Sequence, residues 1–243
     1  MARRIMKADS DRAPVPQDKR NPDSGKVERV VEKSGQVANR QSQLAAGIGA
    51  LGLRVDAEAQ ARMLRFLELM AQWNRLHNLT AITDPDKMLT HHLLDSLAVA
   101  RHVVGPRVLD VGSGAGLPGI PLAIALPEFE FVLLDASAKR VRFLVQAIGT
   151  LGLENVTAVH GRAEIYRPGA PFNTIMTRAV AAMADTLRWT AGLLAEGGRY
   201  LYMKGAYPAE EIADLPPGWG FEAIPVTVPG LTAERHALIV FPA

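Results

Sequence analysis

The chain has 243 residues, 48% of them hydrophobic, with 27 Lys and Arg against 25 Asp and Glu and no cysteine. That apolar content supplies a large core and excludes simple disorder for most of the length, while the missing thiols exclude disulfides, thiolate metal sites and cysteine nucleophiles. No apolar run is long enough to span a bilayer, and the basic start leads into no secretory segment, so a cytoplasmic location is expected.

The net charge of +2 is unevenly spread. Residues 1–50 carry ten Lys and Arg against six Asp and Glu, and the remainder seventeen against nineteen. Overall basicity is therefore no argument for nucleic-acid binding by the folded part, which would need a local patch.

Residues 1–43 are polar and broken by Pro14, Pro16 and Pro22, and read as a disordered or weakly ordered tail. Residues 44–104 read as an N-terminal helical cap. A helical pattern starts at Leu44, is interrupted by Gly47, Gly49 and Gly52, and resumes after Asp56, a candidate N-cap, through Leu64, Leu67, Met70 and Trp73-Asn74. A turn is expected near Asn78-Leu79-Thr80. Asp84-Pro85-Asp86 opens a second helix running to about Val103.

Residues 105–243 alternate between strand and helix. Strands are predicted at 107–111, 130–134, 156–159, 173–177 and 198–203, and helices at 117–126, 137–150, 180–194 and 208–213. Two last strands, near 221–228 and 235–241, lack a helical crossover and must pair antiparallel. This pattern predicts an α/β, Rossmann-like, seven-stranded sheet of the class I S-adenosylmethionine-dependent methyltransferase type, carrying the helical cap.

The segment from Val108 to Gly119 says most about chemistry. An apolar strand ends in Gly112, Gly114 and Gly116, spaced G-x-G-x-G, with Leu117 where a dinucleotide fingerprint needs glycine. That favours S-adenosylmethionine over a nicotinamide nucleotide. Glycines there let backbone approach a ligand, with Ser113, Leu117 and Ala136 as further contacts. Asp110 is placed to meet the cofactor amine, directly or through water. Asp135, 25 residues on at the tip of the second strand, can accept both ribose hydroxyls or instead cap the helix that begins at Ser137. Gly161-Arg162-Ala163-Glu164, past the third strand, falls where an adenine clamp sits, with Ala163 and Glu164 as its contacts, although Glu164 also suits a surface loop. Pro118 and Pro121 require the following helix to begin late.

The run from Asp110 to Ala123 resembles the signature of the RsmG (GidB) family of bacterial 16S rRNA guanine-N7 methyltransferases. Further matching pieces are Trp73-Asn74, Asn78-Leu79-Thr80-Ala81-Ile82, His92-Leu93-Leu94-Asp95-Ser96-Leu97, Gly161-Arg162-Ala163-Glu164, Thr177-Arg178-Ala179, Lys204-Gly205 and Glu234-Arg235-His236. The likeness covers roughly residues 55–241. It implies methyl transfer from S-adenosylmethionine to N7 of one guanine in the 530 loop of 16S rRNA, with 16S rRNA or the small ribosomal subunit as partner. One departure is Phe172-Asn173, where the family often has Phe-Asp; as a strand-start residue it would only tune a turn.

Guanine N7 has a lone pair and no proton, so its methylation needs alignment and electrostatics rather than a general base. The missing Asn/Asp-Pro-Pro-Tyr/Phe motif argues against adenine amino-group chemistry, and the missing cysteine against covalent cytosine chemistry. Arg178, after the fourth strand, and Lys204, after the fifth, are the candidate catalytic groups, with Arg178 also a cofactor contact. Each could instead be a surface ion-pair residue. Lys139, Arg140, Arg142 and Arg235 are candidate RNA contacts. His92 and Asp95 read as an interlock between cap and domain or as lining of the cofactor entrance. No metal site is expected, and a monomer is. The alternatives are a small-molecule or protein methyltransferase of the same fold, and a non-catalytic RNA- or ribosome-binding protein.

Overall fold

The computed structural model describes residues 24–178 and 182–243. The chain divides into two units, Met1–Ala38 and Asn39–Ala243. Helix α1 (Ser24–Ala50) begins inside the stretch expected to be disordered or weakly ordered, so that expectation is corrected from Ser24 onward; residues 1–23 lie outside the described residues. Between Ser24 and Asp84 the chain holds no proline, and nothing in the backbone forbids a helix. Gly47 and Gly49 do not interrupt it. A Cβ on Gly47 would come within 2.6 Å of the Leu94 side chain, so glycine here permits close packing, and the helix stops just before Gly52 at φ 69°.

The residues read as cap and as methyltransferase domain lie together in the second unit. Asp56 caps α2 (Ala57–His77), its side chain accepting the Ala59 amide at 2.7 Å, and Asn78 ends it in the left-handed region at φ 48°. The expected second helix is not uniform. It runs as α3 (Pro85–Met88), a π-helical turn (Leu89–Leu94), α4 (Asp95–Leu97) and a 3-10 turn (Ala100–His102). The wider turn keeps Leu89, His92, Leu93, Leu94, Asp95 and Ser96 all buried, more of the circumference than one α-helical face covers.

The rest follows the predicted alternation: β1 (Arg107–Val111), α5 (Gly119–Ala125), β2 (Glu130–Asp135), α6 (Ala138–Leu151), β3 (Val156–His160), β4 (Phe172–Arg178), α7 (Met183–Thr190), β5 (Leu194–Lys204), α8 (Ala209–Ala213), β6 (Trp219–Pro225) and β7 (His236–Pro242). The sheet order is β3-β2-β1-β4-β5-β7-β6. The first five strands are parallel, and β7 runs antiparallel to both β5 and β6. The last two strands thus form the expected hairpin, inserted so that β7 rather than β6 meets β5.

Both faces of the sheet are covered, so β1, β2 and β4 are buried without alternation. One face, with Val108, Leu133, Met176 and Leu201, shares a core with α5, α6 and the cap residues Met63, Phe66, Met70 and Leu93. The other, with Leu109, Val132, Ile175 and Tyr202, packs on Met183 and Leu187 of α7. The cap is also tied to the sheet by polar groups: Thr174 Oγ1 donates to the Val104 carbonyl at 2.7 Å and accepts its amide at 2.8 Å. Asn173 Oδ1 accepts the Arg107 amide at 3.1 Å. The departure from the family pattern therefore serves a strand start.

Candidate cofactor and substrate cleft

The C-terminal ends of β1, β2 and β4 open into one cleft. Gly112, Gly114 and Gly116 have φ of 67°, 59° and 81°, conformations that disfavour a Cβ. The turn is also held at both sides by carboxylates. Asp135 Oδ2 accepts the Gly114 amide and its Oδ1 the Ser137 amide, each at 2.8 Å. Asp110 Oδ2 accepts the Gly119 amide at 3.0 Å, and the Ser113 hydroxyl donates to the Asp110 carbonyl at 2.9 Å. Helix α5 begins only at Gly119, after Pro118, as the prolines demand.

Asp110 is fully buried and its Oδ1 has no hydrogen-bond partner among the described residues. Burial pushes its carboxyl up to about 7, opposed by the Gly119 amide and the nearby Arg178 guanidinium. An orphaned acid oxygen beneath a glycine turn is a ready acceptor for an ammonium group.

A cavity of about 450 Å³ is lined by Leu79, Thr80, Gly112, Ser113, Gly114, Ala115, Leu117, Asp135, Ala136, Arg140 and Arg178. A recess of about 180 Å³ shares Gly112 and Ala136 with it and adds Val111, Leu134, Gly161, Arg162, Ala163, Glu164 and Trp189. Of the cofactor candidates, Gly112, Ser113, Gly114, Leu117, Asp135, Ala136, Ala163, Glu164 and Arg178 line one or both hollows. Gly116 and Asp110 lie behind them, Gly116 against Ile120 and Leu144. A third hollow, of about 380 Å³, is lined by Gly197, Gly198, Arg199, Glu222 and Phe241, away from the glycine turn.

The other candidates separate. Arg178 forms part of the cleft wall and donates to the His91 carbonyl at 3.3 Å and to Asp95 Oδ2 at 3.4 Å. Arg140 also lines the cleft, 3.5 Å from Asp135. Lys204 does not line it; its ammonium is held by both oxygens of Glu211 at 2.7 Å, and Glu211 also accepts the Met183 amide. Lys139 Nζ donates to the His77 carbonyl at 2.9 Å, a cap on the end of α2. Arg142 is exposed, and Arg235 pairs with Asp95 at 2.8 Å. Ala179, the third residue of the Thr177-Arg178-Ala179 motif, lies outside the described residues.

Sequence reasoning did not assign site roles to Leu79, Thr80 or Trp189, and it placed Arg162 in the adenine-clamp segment without naming a contact for it. Thr80 is held by Asn74, whose amide group donates to the Thr80 carbonyl and accepts its N–H, both at 2.9 Å. Thr80 Oγ1 lies 3.0 Å from His92 Nε2. Burial and the Arg178 charge bring the His92 imidazole down to about 4, so it is neutral at pH 7. The signal available was Asn74 itself, a polar residue on the buried face of α2 beside Phe66 and Met70. Among the described residues no group of three His, Cys, Asp or Glu side chains could hold a metal ion.

A parallel sheet with an antiparallel hairpin at its end, a glycine turn after β1 and an acid at the tip of β2 define a class I S-adenosylmethionine-dependent methyltransferase. The fold matches an O-methyltransferase of neocarzinostatin biosynthesis solved with S-adenosylmethionine, at a TM-score of 0.52 and 19% identity over 65% of this chain and 56% of that one. Residues 59–239 match the family model GidB, rRNA small subunit methyltransferase G. The chain is 48% identical over 199 residues to ribosomal RNA small subunit methyltransferase G of Marinobacter nauticus, covering 82% of this chain and 93% of that one. Against the same enzyme of Chromohalobacter salexigens identity is 50% over 199 residues, covering 82% and 95%. The chain belongs to the RsmG (GidB) family of rRNA small subunit methyltransferases.

Proposed function

We propose that the protein methylates N7 of one guanine in the 530 loop of 16S rRNA, as naked RNA or within the small ribosomal subunit. The observation that carries this reading is the make-up of the cleft. Its wall offers two guanidiniums, Arg140 and Arg178, to an anionic substrate, and the imidazole beside it, His92, is buried and engaged with Thr80. N7 carries no proton and its methylation needs no base; the carboxylate in the cleft wall, Asp135, is engaged by the Gly114 and Ser137 amides, whereas an amine or hydroxyl acceptor would need a base to take its proton.

The residues fit S-adenosylmethionine. Asp110 Oδ1, behind the cleft wall, is a buried acceptor that an amine could satisfy, the glycine turn presents backbone without Cβ atoms, and Asp135 keeps lone pairs beyond the two amides it accepts. When bound, the cofactor supplies a methyl group activated by the sulfonium. Asp135 then holds the ribose, and Ala163 and Glu164 the adenine in the smaller recess. Arg178 and Arg140, both in the cleft wall, orient the target nucleotide, and Arg235, Lys139 and Arg142 make further contacts to RNA phosphates. For Lys204 the Glu211 pair favours holding the start of α7 over touching the base. No described helix is long and apolar enough to cross a membrane.

The experiment is to incubate purified protein and labelled S-adenosylmethionine with 16S rRNA and small subunits that lack the modification, then map the labelled base. Label at guanine N7 in the 530 loop is expected; label only on protein or on metabolites would overturn the reading.

A further inference from the structure

Asp95 stands where the π-helical turn passes into α4, its side chain 6% exposed. Its two oxygens go to different partners. Oδ1 accepts from Arg235 Nε at 2.8 Å and Oδ2 from Arg178 Nη1 at 3.4 Å. One carboxylate of the cap thereby yokes the end of β4 to the β6–β7 connection, which are 83 and 140 residues away in sequence.

The Arg178 and Arg235 side chains are 25% and 24% exposed, both more open than the carboxylate that anchors them. Each has a second, backbone acceptor: the His91 carbonyl for Arg178 and the Glu234 carbonyl for Arg235. Among the described residues neither Nη2 donates to the protein. Two cations on one acid repel each other, and the other acid near Arg178, Asp110, is bonded to the Gly119 amide, so a device built for stability alone would give each base its own acid. What the arrangement supplies is a fixed pair of guanidiniums with donors to spare, one of them in the wall of the cleft. Planar guanidiniums with donors to spare suit the oxygens of a phosphodiester.

We propose that Asp95 is a positioning residue for methyl transfer. It sets Arg178 and Arg235 as a fork that grips an RNA phosphate beside the target base. This rests on the RNA reading of the cleft, and Asp95 itself touches neither substrate nor cofactor.

The test uses the full chain and three measurements. Binding of a 16S rRNA fragment carrying the 530 loop is followed by fluorescence anisotropy over a series of KCl concentrations. Cofactor Kd is taken by calorimetry, and KM and kcat with unmodified RNA. Asp95→Asn keeps the shape and removes the charge. It is expected to raise the RNA KM about tenfold, leave the cofactor Kd within about twofold, and reduce the slope of log K against log salt by about one. Arg235→Gln is expected to cause the same loss of slope, and the double variant to add little to either, because both remove one fork. Asp95→Glu is expected to restore part of the RNA KM.

An unchanged RNA KM, an equal loss of cofactor affinity, or additive effects of the two substitutions would overturn the proposal. If Asp95→Asn does not fold, Arg235→Gln decides, since an unchanged salt slope there also overturns it. Failure of the N7 reading is distinguishable: wild-type protein would then bind the fragment without methylating guanine, while the slope change still reports on the fork.

Discussion

Asp110 reaches across the glycine turn to the Gly119 amide with one oxygen, at 3.0 Å, and leaves the other without a partner among the described residues. The consequence is a dependence on pH. Burial raises the folded pKa to about 7 from an ordinary value of 3.8. A raised acid contributes stability fully below the unfolded pKa, and that contribution is lost as pH rises through the folded one. Thermal melts of wild type should therefore fall relative to Asp110→Asn between about pH 4 and about pH 7 and run level above that. If the free oxygen meets the cofactor amine, cofactor affinity should rise with pH over the same range in wild type and stay flat in the variant. Parallel pH profiles for the two proteins would contradict both statements.

Asp135→Ala should weaken cofactor binding and loosen the turn together. It removes acceptors for the Gly114 and Ser137 amides, and each amide left without its bond costs about 1 kcal/mol or more. Loss of the ribose contact should add a drop of about tenfold or more in affinity by calorimetry. A variant that melts lower but binds the cofactor as before would assign Asp135 to the turn alone.

The glycines of the turn should separate by mechanism. At Gly114 an added Cβ meets nothing closer than 3.8 Å, so Gly114→Ala is strained only by its φ of 59°. Its stability should fall by about 1–2 kcal/mol, the cost of the left-handed region for a side chain. At Gly119 the same Cβ would run into the Leu133 side chain and come within 2.7 Å of Asp110 Oδ2. Gly119→Ala should therefore be the more destabilised protein in chemical denaturation, although its φ is ordinary.

Lys204 and Glu211 should behave as a unit. The Lys204 ammonium is bonded to both carboxylate oxygens, and the carboxylate also holds the Met183 amide. Because both partners are partly exposed, Lys204→Met should cost only about 1 kcal/mol. Glu211→Gln should cost a similar amount and the pair together little more than either. If Lys204→Met instead abolished kcat without lowering the melting temperature, the lysine would belong to the reaction.

The ordering of strands and helices was legible because it rests on local chemistry. The apolar runs of β1, β2 and β5, Pro118 at the head of α5 and the absence of a crossover between β6 and β7 are each visible in a short window of sequence. The boundaries at β6, the continuity of α1 through Gly47 and the π-helical turn were not. Each depends on a neighbour distant in the chain: the Gly47 backbone on Leu94, and the buried ring of residues 89–96 on packing from several sides. The candidate basic residues also looked alike in sequence. Only their partners sort Arg178, which faces the cleft, from Lys139, which caps α2, and Lys204, which is tied to Glu211.

By itself the sequence determined that backbone turns without Cβ atoms follow an apolar strand and that an acid ends the next one. Those follow from residue type and spacing, since only glycine adopts a positive φ at no cost and parallel strands cannot be joined by a tight turn. What the tertiary structure alone decided is which charges meet. Asp95, Arg178 and Arg235 become neighbours because the cap closes over the strand ends, and the interaction of charges depends on distance and burial, neither of which is written along the chain.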